Sequence, residues 1–297
     1  MLLLNYVFIA TFLVLIIGAH TSNLDENTHS LNEKEWDILI FTQHWPVTVC
    51  YQWQEASVTH KCLLPPLNNT WTVHGVWPTK IGTLGPENCN TTWKFDPDQI
   101  STLMSQLQTY WIDIETHNMK HSLWKHEWEK HGTCAAEIPD FDTELKYFSK
   151  GLTLIYKYNM EFILSKSNII PDENKEYFVE DIYDAIVSVT QKKPSIECFK
   201  DKHLNQTLLW EIRICFDKNL ELIDCDGIRD PIYHIKNSAI ITNCKLNTPI
   251  YYKNLVPIRP TTRPTTIEYD DENERRSFVH KVLDIYRVLT FLRWLTL

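Results

Sequence analysis

Glycine is scarce: there are seven in 297 residues, and no two are separated by a single residue. Without G-x-G or G-x-x-x-x-G-K-[ST], the bare backbone loops that cradle nucleotide phosphates are missing, which excludes Rossmann and P-loop chemistry. No C-x-x-C pair occurs, and intervals such as Cys62 to Cys89 are wrong for a zinc knuckle. Positive charge is also short. The 29 Lys and Arg face 38 Asp and Glu, a net charge of −9, so the molecule as a whole repels a polyanion. Any action on nucleic acid must rest on a local cationic site. What is abundant is apolar surface: 43% hydrophobic and 12% aromatic residues, with 11 Trp and 13 Tyr, is too much for a disordered chain. The length fits one large domain or two small ones.

Residues 1–19 carry no charged side chain, and an apolar run from Tyr6 to Ile17 ends in Gly18 and Ala19, small residues suited to signal-peptidase cleavage. A signal peptide is expected here rather than an anchor, because the run falls short of the ~20 residues a membrane span needs. All eight cysteines (Cys50, Cys62, Cys89, Cys134, Cys198, Cys215, Cys225, Cys244) follow it. An even count in a secreted chain points to four disulfides, with ~105 pairings open. Sequons at Asn68, Asn90 and Asn205 fit the same oxidising, glycosylating route.

Residues 20–35 are polar and expected to be loose, with order beginning at Trp36. The β-rich run 37–42 is stopped by Trp45-Pro46, and a second short run, 73–77, is closed by Pro78. Ile100, Leu103, Met104 and Leu107 follow helical spacing over 99–112, behind Asp96-Pro97-Asp98, which supplies an N-cap and a first-turn proline. Helices are also predicted over 142–165, with a break near Gly151, and over 177–190. The segments 208–216 and 220–225 read as a hairpin that Cys215 and Cys225 could staple. Strands, then helices, then strands, without βαβ alternation, predict an α+β fold.

The folded domain is expected to cover 36–252. Pro257, Pro260 and Pro264 among Thr and Arg, then an acidic group between Glu268 and Glu274, mark a linker over 253–277. Residues 278–297 form an apolar, basic tail with polar residues at every third position. On a helix that stripe drifts by about 60° per step, so there is no clean apolar face, and interior charges argue against a stable membrane span. From Lys253 onward eight Lys/Arg meet six Asp/Glu, leaving the tail at +2 and the body at −11.

The densest cluster of titratable groups is His126-Glu127-Trp128-Glu129-Lys130-His131-Gly132-Thr133-Cys134. At about 100° per residue, His126, Glu127, Lys130 and His131 fall near 0°, 100°, 40° and 140°, one helical face, and Gly132 can end the helix. The bland alternative is a solvated charged face, against which the flanking Trp124 and Trp128 and a pinned Cys134 weigh. A zinc protease needs H-E-x-x-H, with both His reaching one metal. Here the spacing is five, which splays the rings by about 140° on an α-helix and puts Lys130 where a ligand belongs. No metal and no cofactor are expected. Two His, a Lys and a Glu do suit a phosphodiester, whose oxygens need positive charge while a His moves protons.

A second motif is Trp71-Thr72-Val73-His74-Gly75-Val76-Trp77-Pro78. A single His in an apolar strand is usually a satisfied core residue, but the pairing of motifs changes the odds. Trp-x-x-His-Gly-x-Trp-Pro followed about 50 residues later by His-Glu-Trp-x-Lys-His-Gly-x-Cys resembles the two active-site segments of the RNase T2 family of ribonucleases. Gln43-His44-Trp45-Pro46, Pro194-Ser195-Ile196-Glu197-Cys198 and the Cys215 to Cys225 hairpin extend the resemblance over roughly 36–246.

The resemblance implies a central, mainly antiparallel sheet with flanking helices, and disulfides Cys50–Cys62, Cys89–Cys134, Cys198–Cys244 and Cys215–Cys225. It implies an acid endoribonuclease, secreted or lysosomal, that cleaves single-stranded RNA without metal through a 2′,3′-cyclic phosphate. DNA, lacking the 2′-hydroxyl, should be inert. His131 is then the general base and His74 the general acid, Glu127 and Lys130 stabilise the phosphorane, and His126 holds phosphate. Trp77 is a candidate for stacking on a base. The position after Trp-Pro, Asp in some members where it helps to read adenine, is Thr79, so no base preference follows. A monomer is expected. The alternative is a secreted glycoprotein that acts mainly by binding a receptor or glycan.

Overall fold

The apolar run after Trp36 becomes strand β1 (Ile38–His44), and all seven of its residues are buried. Leu39 and Phe41 enter the main core, while Ile38 and Ile40 pack on the other face against Cys215, Cys225 and Ile228. Covered on both sides, the strand needs no polar alternation. The computed structural model describes residues 35–257 apart from 58, 84, 117–119, 204 and 229–238. The expected leader over 1–19, nearly all of the loose segment and the tail from 258 lie outside the described residues.

β1 lies between β2 (Thr72–Thr79) and β5 (Gln206–Phe216) and is antiparallel to both. β4 (Ser195–Asp201) continues the sheet antiparallel to β5, and β7 (Ile241–Thr242) joins β4 in parallel. Short strands β3 (Glu176–Tyr177), β6 (Leu222–Ile223) and β8 (Ile250–Tyr251) complete eight strands. The helices are α1 (Pro46–Ala56), α2 (Met104–Tyr110), α3 (Ser122–Glu127), α4 (Thr133–Ala135), α5 (Glu144–Lys157), α6 (Met160–Ser165) and α7 (Val179–Thr190). The fold is α+β around a mainly antiparallel sheet. The four disulfides pair as the resemblance implied, and no cysteine is free.

Several elements depart from the sequence reading. Pro78 does not close β2 but lies inside it, which an edge strand tolerates because one row of its backbone needs no partner. The Trp45-Pro46 stop opens an unpredicted helix, α1, with Pro46 in its first turn, where a missing N–H costs nothing. The helix expected over 99–112 starts as a 3₁₀ segment, Pro97–Leu103, with Asp96 capping Asp98 N, and turns α-helical only in α2. No break occurs at Gly151: a Cβ there would lie 2.2 Å from Trp111, so this glycine serves close packing in mid-helix. The break falls instead at Tyr158 and Asn159, where the Asn159 side chain caps α6. The body also continues past Tyr252, since Trp45 Nε1 donates to the Lys253 carbonyl at 2.7 Å. Among the described residues no helix is long and apolar enough to cross a membrane.

Candidate active site

His74 sits at an irregularity in β2. Thr42 of β1 pairs with Gly75 and Gln43 with Val73, so His74 is the extra residue of a β-bulge. In a regular strand His74 and Trp77, three apart, would face opposite sides of the sheet. The bulge brings them together, with ring centroids 5.0 Å apart. The backbone around them is tied from behind: Trp111 Nε1 donates to the His74 carbonyl at 3.0 Å and Tyr147 Oη to the Val76 carbonyl at 3.0 Å. Gly75 leaves room for the next contact, since a Cβ there would lie 2.2 Å from Glu127 Oε2.

The second motif carries its own irregularity. After α3 the chain makes a π-helical turn, Trp128–Gly132, before α4. A π turn bonds residues five apart, so it brings His126 and His131 onto one side, with ring centroids 5.9 Å apart. The splay of about 140° expected from α geometry is therefore absent. Gly132 does not end the helix either. It has helical φ, and a Cβ would lie 2.4 Å from the Trp128 ring.

The two segments meet at Trp77. Its indole N–H donates to Glu127 Oε2 at 2.8 Å, and its ring centroid lies 5.6 Å from that of His131. His74 and His131 thus both neighbour one indole. Glu127 is buried, and burial pushes its carboxyl up to about 7. His131 is pushed well below its ordinary value by burial, then by the charges of Lys130, His126 and His74. For His74, burial opposes the charged ring but the Glu211 carboxylate outweighs it, so its pKa is raised. Glu127 Oε1 and His131 Nδ1 have no hydrogen-bond partner among the described residues. Lys130 Nζ pairs with the exposed Glu87 at 3.1 Å, and His126 is exposed at the mouth of the site.

Three further side chains, Glu211, Arg213 and His44, surround His74 without having been read as site residues in the sequence. His74 Nδ1 lies 2.5 Å from Glu211 Oε1, and Arg213 holds the other oxygen of Glu211 at 3.0 Å. His44 stacks on His74 at 5.1 Å, and burial, then His74, pushes its pKa down to about 3. The signal was present: Glu211 and Arg213, two apart on an apolar strand, put opposite charges on one face. A cleft of about 350 Å³ opens beside them, lined by His44, His74, His126, Trp210 and Glu211 among others. Thr79 is buried in β2. Of the sequons, Asn68 and Asn205 are exposed and Asn90 is half-buried, its Oδ1 accepting from Thr92.

Ligand-capable atoms of His44, His74 and Glu211 lie within 4.8 Å of one another, as do those of His126, Glu127 and His131. In the first group Glu211 is committed to His74 and Arg213. In the second, Glu127 Oε2 receives the Trp77 indole, and the Lys130 ammonium stands alongside and opposes a further cation.

The model of the Ribonuclease T2 family matches residues 36–225. Ribonuclease Oy of Magallana gigas is 36% identical over 222 residues, covering 74% of this chain and 97% of that protein. Ribonuclease T2 of Sus scrofa is 38% identical over 194 residues, covering 64% and 90%. The crystal structure of human RNase T2 superposes with a TM-score of 0.59 at 32% identity, over 74% of this chain and 99% of that one. On these matches, with both motifs converging on one indole, the chain belongs to the ribonuclease T2 family, the secreted and lysosomal acid endoribonucleases that cleave RNA through a 2′,3′-cyclic phosphate without a metal.

Proposed function

We propose that His131 is the general base and His74 the general acid of this endoribonuclease. Neutral His131 takes the proton of the ribose 2′-hydroxyl, and the oxygen attacks the adjacent phosphorus in line. His74 gives a proton to the departing 5′-oxygen, leaving the 2′,3′-cyclic phosphate. The observation that carries this assignment is the opposite displacement of the two imidazoles across Trp77: His131 is held neutral and His74 charged at the same mildly acidic pH.

Glu127 supports the scheme as an acid rather than an anion. With its pKa near 7 it is protonated at mildly acidic pH, and Oε1 can donate to a phosphoryl oxygen instead of repelling it. Lys130, exposed enough to exchange Glu87 for phosphate, stabilises the phosphorane, and His126 holds phosphate at the cleft mouth. The cleft beside His74 takes a nucleoside flanking the scissile bond, and Trp77 offers ring surface to a base. The substrate is single-stranded RNA and the working unit a monomer. A leader over 1–19 and glycans on Asn68, Asn90 and Asn205 belong to the same reading.

Single-stranded RNA cut in the presence of EDTA should give cyclic phosphate ends, and His74→Ala and His131→Ala should each lose about 10²–10⁴-fold in kcat/KM. A nucleoside 3′-(4-nitrophenyl phosphate) separates the roles, because its leaving group needs no proton. His74→Ala should recover most of its activity on it and His131→Ala none. The reverse pattern would exchange the two assignments, and full activity of either variant on RNA would end the scheme.

A further inference from the structure

The polar contacts around His74 do not stop at the ring. Glu211 lies opposite His44 on β1 and opposite Glu197 on β4, so one row across three strands carries His44, Glu211 and Glu197. Arg213, two residues further along β5, reaches both acids, at 3.0 Å for Glu211 and 3.7 Å for Glu197. Ser195 Oγ donates to Glu197 at 3.1 Å. Glu211 is fully buried, and burial alone would raise its carboxyl, yet His74 and then Arg213 push it down to about 2. A carboxylate held charged in the sheet, at 2.5 Å from the Nδ1 of a half-buried imidazole, is a costly arrangement that packing does not require.

We propose that Glu211, braced by Arg213, is a positioning residue that fixes the His74 ring with Nδ1–H toward β5 and keeps it charged, so that Nε2 carries the proton delivered to the leaving oxygen. The inference rests on the reading of His74 as general acid. The other groups facing His74 do not replace Glu211. Stacked His44 is neutral and holds no counter-charge. Glu127 attracts the His74 charge, but its proton is retained up to about pH 7. Arg213 opposes that charge, the Lys130 ammonium on the second motif has the same sign, and His126 and His131 are both pushed below their ordinary values by burial and by the Lys130 and His74 charges. Asp113, in the cleft wall, is bonded to Ser122 and to Leu123 N.

Glu211→Gln keeps the size and an acceptor oxygen but removes the charge. An opposite charge at this range moves a pKa by about 1–3 units, so the NMR titration midpoint of the His74 ring should fall by about one unit or more. The alkaline limb of the kcat/KM profile on single-stranded RNA should move down with it, while the acidic limb, set by His131, stays. Glu211→Asp, retaining the carboxylate, should restore much of both. Arg213→Met is the second variant: it leaves Glu211 charged and should raise the His74 midpoint. An unchanged His74 midpoint in Glu211→Gln, or a loss of activity uniform across pH, would overturn the inference. The NMR readout needs no turnover, so it stands apart from the His74→Ala test: an active His74→Ala enzyme would sink the acid assignment whatever Glu211 does to the ring.

Discussion

Glu127 shows how one side chain couples the chemistry to the stability of the protein. Folding raises its carboxyl from about 4.5 to about 7, so the native state takes up a proton in that interval before the unfolded chain does. Its contribution is complete below about 4.5 and is lost as pH rises through about 7. Glu127→Gln cannot ionise and should therefore melt higher than the parent at about pH 8, with the difference closing toward about pH 4.5. Thermal melts at the two pH values check this. An equal shift at both would mean that the carboxyl is not held protonated by the fold. Trp77 matters here because its indole N–H bonds to that carboxyl and, with the charges of His74 and Lys130, offsets part of the effect of burial.

At the level of elements, both segments of the candidate site depend on one surplus residue, the bulge at His74 and the π turn at Trp128–Gly132. Inserting one alanine after Trp128 would place His126 and His131 six apart, about 120° from each other on an α-helix. The insertion should leave the far-ultraviolet circular dichroism nearly unchanged while abolishing RNA cleavage. Retained cleavage would show that the register of the two rings set by the π turn is dispensable. The same two irregularities mark what the sequence could not show. The motifs were legible because ionisable residues between tryptophans are rare, and β1 and the 206–223 hairpin were legible from their apolar runs. A bulge and a π turn each change the side-chain period by a single position, through hydrogen bonds to other strands or turns, and no local pattern reports that. Gly132 and Gly151 were taken for helix breakers because a glycine's conformational freedom is visible in sequence, whereas the Trp128 and Trp111 rings that require its small size are distant contacts. Glu211 and Arg213 were overlooked because their strand was read for its apolar residues alone.

At the scale of the molecule, a chain of net charge −9 gathers Lys120, Lys125, Lys130 and His126 at one cleft, so attraction for RNA is local while the net charge of the whole repels it. The crosslinks have a layout of their own. Cys50–Cys62 and Cys89–Cys134 both lie before residue 135, and Cys198–Cys244 and Cys215–Cys225 both lie after 197, so none bridges the two portions. What joins them across the sheet is the β1–β5 ladder. Nicking the backbone once near Asn174 would thus yield two pieces, each internally stapled, with His74 and His131, the proposed proton-transfer pair, on the first and Glu211, the ion-pair partner of His74, on the second. Mixed without reductant they should zip back along that ladder and regain cleavage that neither piece has alone, making turnover itself the gauge of reassembly.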